Sequence, residues 1–172
     1  IAPWNYPFQL AVAPLIGAIA AGNTAVVKPS ELTPNVARVL TQVLERAFTD
    51  RYIASVEGDK DTAQELLNQK WDYIFFTGST QVGRIVNKAA AEHLTPVTLE
   101  LGGKSPVIVH GDANVSIAAK RVAWGKWMNA GQTCVAPDYV LVHESQQEAF
   151  LEAIKQEAFA MFGNGVGTKR YT

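Results

Sequence analysis

Apolar residues follow two rhythms along the chain. Short runs rich in β-branched and aromatic residues, 24–28 (Thr-Ala-Val-Val-Lys), 73–77 (Tyr-Ile-Phe-Phe-Thr) and 96–101 (Pro-Val-Thr-Leu-Glu-Leu), read as strands buried on both faces. Residues 106–110 and 139–143 are two further strand candidates. The segments between them take the helical period. Thr33 is placed to cap a helix whose first position is Pro34 and whose Val36, Leu40, Val43, Leu44 and Ala47 share one face. From about Thr80 to His93 the same period collects Val82, Ile85, Val86, Ala89 and His93, and a third helix begins at Glu144 or Ser145 and carries Phe150, Ile154 and Phe159. The apolar stretch 10–22, interrupted by Pro14 and Gly17, is too short to span a bilayer and reads as a buried, Ala-rich helix.

Strand–helix alternation of this kind predicts an α/β fold built on a doubly wound parallel sheet with both faces covered. Ligands of such sheets sit beyond the carboxyl ends of the strands. The unusual residues of this sequence recur there: Lys28-Pro29-Ser30-Glu31 after one strand, Thr77-Gly78-Ser79-Thr80 after another, Gly102-Gly103 after a third. Turns and caps would explain any one of them. Three in succession favour a cofactor site. The segment 163–172 has no apolar period and is expected to be loop or frayed end.

Composition narrows the partners. A net charge of −1 gives no basic footprint for nucleic acid, and no polybasic cluster suits an anionic membrane. Cys134 is the only cysteine, so an internal disulfide is impossible and no metal site is expected. One thiol and no visible signal peptide lead to the expectation of a reducing, cytoplasmic compartment.

Five places carry candidate chemistry. Cys134 lies in Gly131-Gln132-Thr133-Cys134, where small residues give a thiolate nucleophile access; a buried cysteine acting as a small hydrophobe is the other reading. Glu100, in an otherwise apolar strand end, is either a partly desolvated general base or one arm of a salt bridge. In Gly78-Ser79-Thr80-Gln81-Val82-Gly83, between a strand and a helix, Gly78 permits a tight turn, Ser79 or Thr80 caps the helix or meets phosphate, and Gly83 allows close backbone approach. The Gly-x-Gly-x-x-Gly fingerprint of dinucleotide sites is absent. Lys28 and Glu31 offer a cation and an anion at a strand end, suited to a ribose and hostile to a 2′-phosphate, or else two ordinary solvated charges. Asn5 either donates to a developing oxyanion or caps the helix that follows it.

Taken in order, Pro3-Trp4-Asn5-Tyr6-Pro7, Val26-Val27-Lys28-Pro29-Ser30-Glu31, Phe76-Thr77-Gly78-Ser79-Thr80, Leu99-Glu100-Leu101-Gly102-Gly103-Lys104 and Gly131-Gln132-Thr133-Cys134 resemble the aldehyde dehydrogenase superfamily, and the wording around Cys134 resembles its class 3, or fatty-aldehyde, branch. The resemblance implies a Rossmann-like NAD(P)-binding region over 1–103, the start of a second α/β catalytic domain over 104–162, and an aldehyde substrate. Cys134 would be the nucleophile, Asn5 with the Cys134 backbone N–H the oxyanion donors, and Glu100 the base that activates water. Lys28, Ser30 and Glu31 would hold the adenosine ribose, Gly78, Ser79 and Gly83 would lie by the pyrophosphate, and Leu101 and Gly102 would lie near the nicotinamide. NAD is the expected cofactor, with NADP possible, and the whole enzyme is expected to be a homo-oligomer. Family chains are much longer, so this one is expected to hold most catalytic residues without the whole site. The other readings are a nucleotide-binding module without turnover, and an acylating dehydrogenase that passes its thioester to coenzyme A. Glu100 counts against the second of these.

Overall fold

The computed structural model describes residues 1–163. Apart from Gly163, the expected loop at 163–172 lies outside the described residues. The chain divides into two compact units, Ile1–Gly102 and a second from Gly103 onward.

The first unit comprises α1 (Gln9–Ala20), β1 (Ala25–Val27), α2 (Pro34–Ala47), β2 (Ile53–Ser55), α3 (Lys60–Leu67), β3 (Ile74–Gly78), α4 (Thr80–Ala91) and β4 (Val97–Leu101). β1 pairs with β2 and β3 with β4, both in parallel. Residues 1–2 join the two pairs. The Ile1 amine donates to the Phe75 carbonyl at 2.9 Å and the Ile1 carbonyl accepts from Thr77 N–H at 3.2 Å, while Ala2 N–H donates to the Lys28 carbonyl at 2.9 Å. The spatial order is therefore β2–β1–(residues 1–2)–β3–β4, with later strands added outward on each side of the earliest residues. That is the 3-2-1-4-5 order of a doubly wound dinucleotide fold.

Packing follows the two halves. Ala2, Ala11, Leu15, Val27, Leu40, Leu44 and Ile53 form one core between α1, α2 and the β1–β2 pair. Leu67, Ile74, Phe76, Val86 and Ala90 form a second, joined by Ile1 and the β4 residues Val97, Leu99 and Leu101. The period of α2 holds: Leu40 and Leu44 are buried and Pro34 takes the first position. Thr33 sits at the cap position, but its side chain makes no capping bond to the helix; its hydroxyl donates to the Ser30 carbonyl at 3.4 Å instead. α1 is less buried than expected, because only Ala11 and Leu15 are buried, Val12 and Ile19 pack partly against the core, and Ile16 stays 63% exposed. A helix that is apolar all round can bury only the stripe that faces the sheet. Among the described residues no helix is long and apolar enough to cross a membrane.

The second unit comprises β5 (Ser105–Val109), α5 (Val115–Trp127), a 3₁₀ turn (Met128–Gly131), β6 (Pro137–Val142), a second 3₁₀ turn (Glu144–Gln146) and α6 (Gln147–Phe162). β5 and β6 pair in parallel, with a register shift between Ser105 and Pro106. Val109, Ala119 and Phe150 centre a core shared by the two strands and both helices. Coverage of both sheet faces does not hold here. Ile108 and Leu141, which alternate with the core residues, remain 75% and 55% exposed.

Candidate active site

Every strand of the first unit runs the same way, so whatever follows a strand emerges at one edge. Residues 3–5, 28–31, 56–59, Ser79 and Gly102 all do. In sheets of this order the ligand crevice opens at the carboxyl ends where the strand order reverses. Here the reversal falls between residues 1–2 and β3, and the segments carrying Asn5 and Ser79 leave the strands on either side of it.

Lys28 leaves β1 directly into the interior and is only 3% exposed. A buried ammonium is costly unless paired. Glu31, one turn on, supplies the partner: its Oε2 accepts from the Lys28 Nζ at 2.7 Å. That hydrogen bond holds the Glu31 carboxyl below its ordinary range, outweighing partial burial and the field of Asp59, which push it up. Ser30 is buried too, and its Oγ accepts from Leu32 N–H at 3.3 Å, which fixes the turn. A cavity of about 290 Å³ opens against this turn, lined by Pro29, Ser30, Glu31, Glu57, Gly58 and Asp59. Glu57 and Asp59 were not singled out from the sequence. They follow β2, whose Ile-Ala-Ser, with one β-branched residue, is too short to stand out as a strand; Val-Glu-Gly-Asp after it was the only signal.

A larger cavity, about 690 Å³, lies elsewhere. It runs from Ile1, Ala2 and the buried Lys28 toward Thr24, Asp72 and Tyr73, at the amino ends of β1 and β3, and of the candidate residues it meets only Lys28. Chemistry rather than size selects the smaller one.

Ser79 is the cap of α4. Its Oγ accepts from Val82 N–H at 3.3 Å, and the first turn of the helix holds no acidic residue, so this helix end is receptive to an anion. Gly78 closes β3, where a Cβ would come 2.5 Å from the Phe76 ring. Gly83 differs from expectation. A Cβ there would come within 2.7 Å of the Leu101 side chain, so this glycine lets α4 lie close on β4 and its close approach is to protein. Leu101 ends β4 half-buried, and Gly102 is open, with nothing within 4 Å of an added Cβ.

Glu100 lies on β4 opposite Thr77 and is exposed. Strand alternation explains this: Leu99 and Leu101 pack against the core, so Glu100 points away from it. Neither the partial desolvation nor the salt bridge expected from sequence is found among the described residues. Asn5 is half-buried in the bend before α1. The cap of that helix is Phe8, which sets aside the capping reading of Asn5.

Cys134, in the second unit, is exposed and free, which sets aside its reading as a buried hydrophobe. It precedes β6 and follows three successive residues in left-handed conformation: Asn129 (φ 53°), Ala130 (φ 55°) and Gly131 (φ 77°). Two of these are not glycine, and such strain, about 1–2 kcal/mol per residue, gathers near functional groups. The Thr133 carbonyl accepts from Ala136 N–H at 3.0 Å, turning the chain at the thiol.

Residues 1–169 match the model of the aldehyde dehydrogenase family, and the chain belongs to that family. It is 55% identical over 166 residues to 4,4′-diaponeurosporen-aldehyde dehydrogenase of Staphylococcus aureus, covering 96% of this chain and 36% of that protein. It is 50% identical over 166 residues to mouse aldehyde dehydrogenase family 3 member A2, covering 96% of this chain and 34% of that protein. These relatives place it in the class 3 branch, and it spans about a third of their length. Among solved structures, substrate-bound Staphylococcus aureus AldH superposes with a TM-score of 0.92 at 54% identity, over 97% of this chain and 36% of that one. A Mycobacterium tuberculosis aldehyde dehydrogenase complexed with NAD+ superposes at 0.86 and 37% identity, over 93% of this chain and 34% of that one.

Proposed function

We propose that this chain supplies the dinucleotide cradle and the nucleophile of an enzyme that oxidises an aldehyde to a carboxylate with NAD. The observation that carries the reading is the gathering of Asn5, Lys28, Glu31, Ser79 and Gly102 at one carboxyl edge, about the point where the strand order reverses. The residues fit the cofactor. Glu31, held by the buried Lys28, presents a carboxylate to ribose hydroxyls at a cavity, and the α4 N-terminus, free of acidic side chains, suits a pyrophosphate. Gly102, which follows the half-buried Leu101 at the end of β4, offers open backbone to the nicotinamide end.

The chemistry divides among residues of this chain. The Cys134 thiolate attacks the aldehyde carbon, forming a C–S bond and moving the carbonyl electron pair onto oxygen. The Asn5 amide and the Cys134 backbone N–H donate to that oxyanion. A nicotinamide held beside Leu101 and Gly102 would supply the hydride acceptor that lets this adduct become a thioester. Glu100 takes a proton from water, the resulting hydroxide adds to the thioester carbonyl, and C–S cleavage releases carboxylate and thiolate. Absorbance of NADH on adding an aldehyde, with and without alkylation of Cys134, tests the reading. Absorbance that rises equally after alkylation would remove Cys134 from it.

A further inference from the structure

The loop after β2 ends at Asp59, which caps α3. One oxygen of its carboxylate accepts from the backbone N–H groups of Asp61 at 2.9 Å and Thr62 at 3.4 Å. Free N–H groups at a helix start are a ready phosphate site. In this chain that helix start borders the cavity that also holds Glu31, and two of its donors are taken by the protein's own carboxylate. Gly58 keeps the turn tight: its φ is +153°, and any Cβ would collide with the Thr62 side chain. The Asp59 charge reaches across the cavity, since it opposes ionisation of Glu31. Of the neighbouring cations, Lys28 is already paired with Glu31, and exposed Lys60 is not among the residues lining the cavity.

We infer that Asp59 acts with Glu31 as a specificity-determining residue of the cofactor site, admitting a free adenosine ribose and excluding one that carries a 2′-phosphate. This deepens the proposed function and rests on it. Asp59 works in two ways. Its negative charge repels a phosphate, and its carboxylate occupies the donors that a phosphate would otherwise take. Glu57, on the same rim, adds a third negative charge.

The test is to titrate the protein carrying this sequence with NAD and with NADP separately, as wild type and as Asp59→Ser. Serine retains an oxygen to cap α3 while removing the charge. The NADP-to-NAD ratio of Kd values should fall roughly three- to tenfold, and most of that gain should vanish in high salt, as befits an exposed charge. A purely structural role for Asp59 would weaken both cofactors together and leave the ratio in place. Asp59→Asn, which also caps, answers the same question if the serine variant does not fold. An unchanged ratio with NAD still bound overturns this inference and spares the cofactor reading. A wild-type protein that binds neither cofactor overturns both.

Discussion

Lys28 and Glu31 hold each other in place, and the balance between them is uneven. The lysine is buried and the glutamate is 43% exposed, so the lysine depends on the pair more than its partner does. Glu31→Gln should therefore lower stability by about 1–3 kcal/mol, the cost of leaving a buried donor poorly satisfied, read as a shift in denaturant midpoint. The same substitution should move cofactor preference toward NADP, and an unmoved kcat/KM ratio would mean that Glu31 does not face the ribose. The pH dependence has a definite sign. A carboxyl held below its ordinary 4.5 contributes stability above that value and loses it as acid carries the pH through the lowered one. Cys134 and Glu100 should fail differently. Cys134→Ala removes the proposed nucleophile, and no NADH should form. Glu100→Gln keeps its shape but cannot take a proton from water, so a burst of NADH near one per site should precede very slow turnover, with an acyl adduct on Cys134 by mass spectrometry. Steady turnover in Glu100→Gln would exclude it as the base.

Two glycines inside helices separate local propensity from packing. Gly17 lies on an exposed part of α1 with nothing within 4 Å of an added Cβ, so Gly17→Ala should stabilise by about 0.5–1 kcal/mol. Gly83 in α4 is buried against Leu101, itself packed in the core of β3 and β4. There the same helix gain meets an overpacking cost of about 1–3 kcal/mol, and Gly83→Ala should come out destabilised. Paired thermal melts check this; stabilisation at both positions would show that α4 has room to move off β4. These elements also show what the sequence carried and what it did not. Strands with β-branched or aromatic runs, β1, β3, β4, β5 and β6, were legible within one or two residues, as were α2 and α4, while α6 was found but begins at Gln147, after a 3₁₀ turn over Glu144–Gln146. β2 was lost in a run of three residues of which only Ile53 is β-branched, α3 in a polar stretch of eight, and α5 in an Ala-rich run with no clean apolar face. The site divides in the same way. Lys28, Ser79 and Gly102 followed readable strands, whereas Asp59 followed the unread one. The exposure of Glu100 depends on strand alternation, which the sequence leaves open in either direction.

At the scale of the molecule, residues 1–2 are expected to set the order in which the sheet assembles. They lie in the middle of the five-stranded order, yet one set of their partners, Phe75 to Thr77, lies 74 residues along. β1 and β2 can meet across a much shorter span, as can β3 and β4. The two halves are local, fast events, and the seam between them is the distant contact with the largest loop-closure penalty. Until that seam closes, β1 and β3 present bare edges, which are the surfaces on which other chains add. The crevice proposed to receive the cofactor lies on the same seam, so the ligand would bind where the sheet is last to become whole.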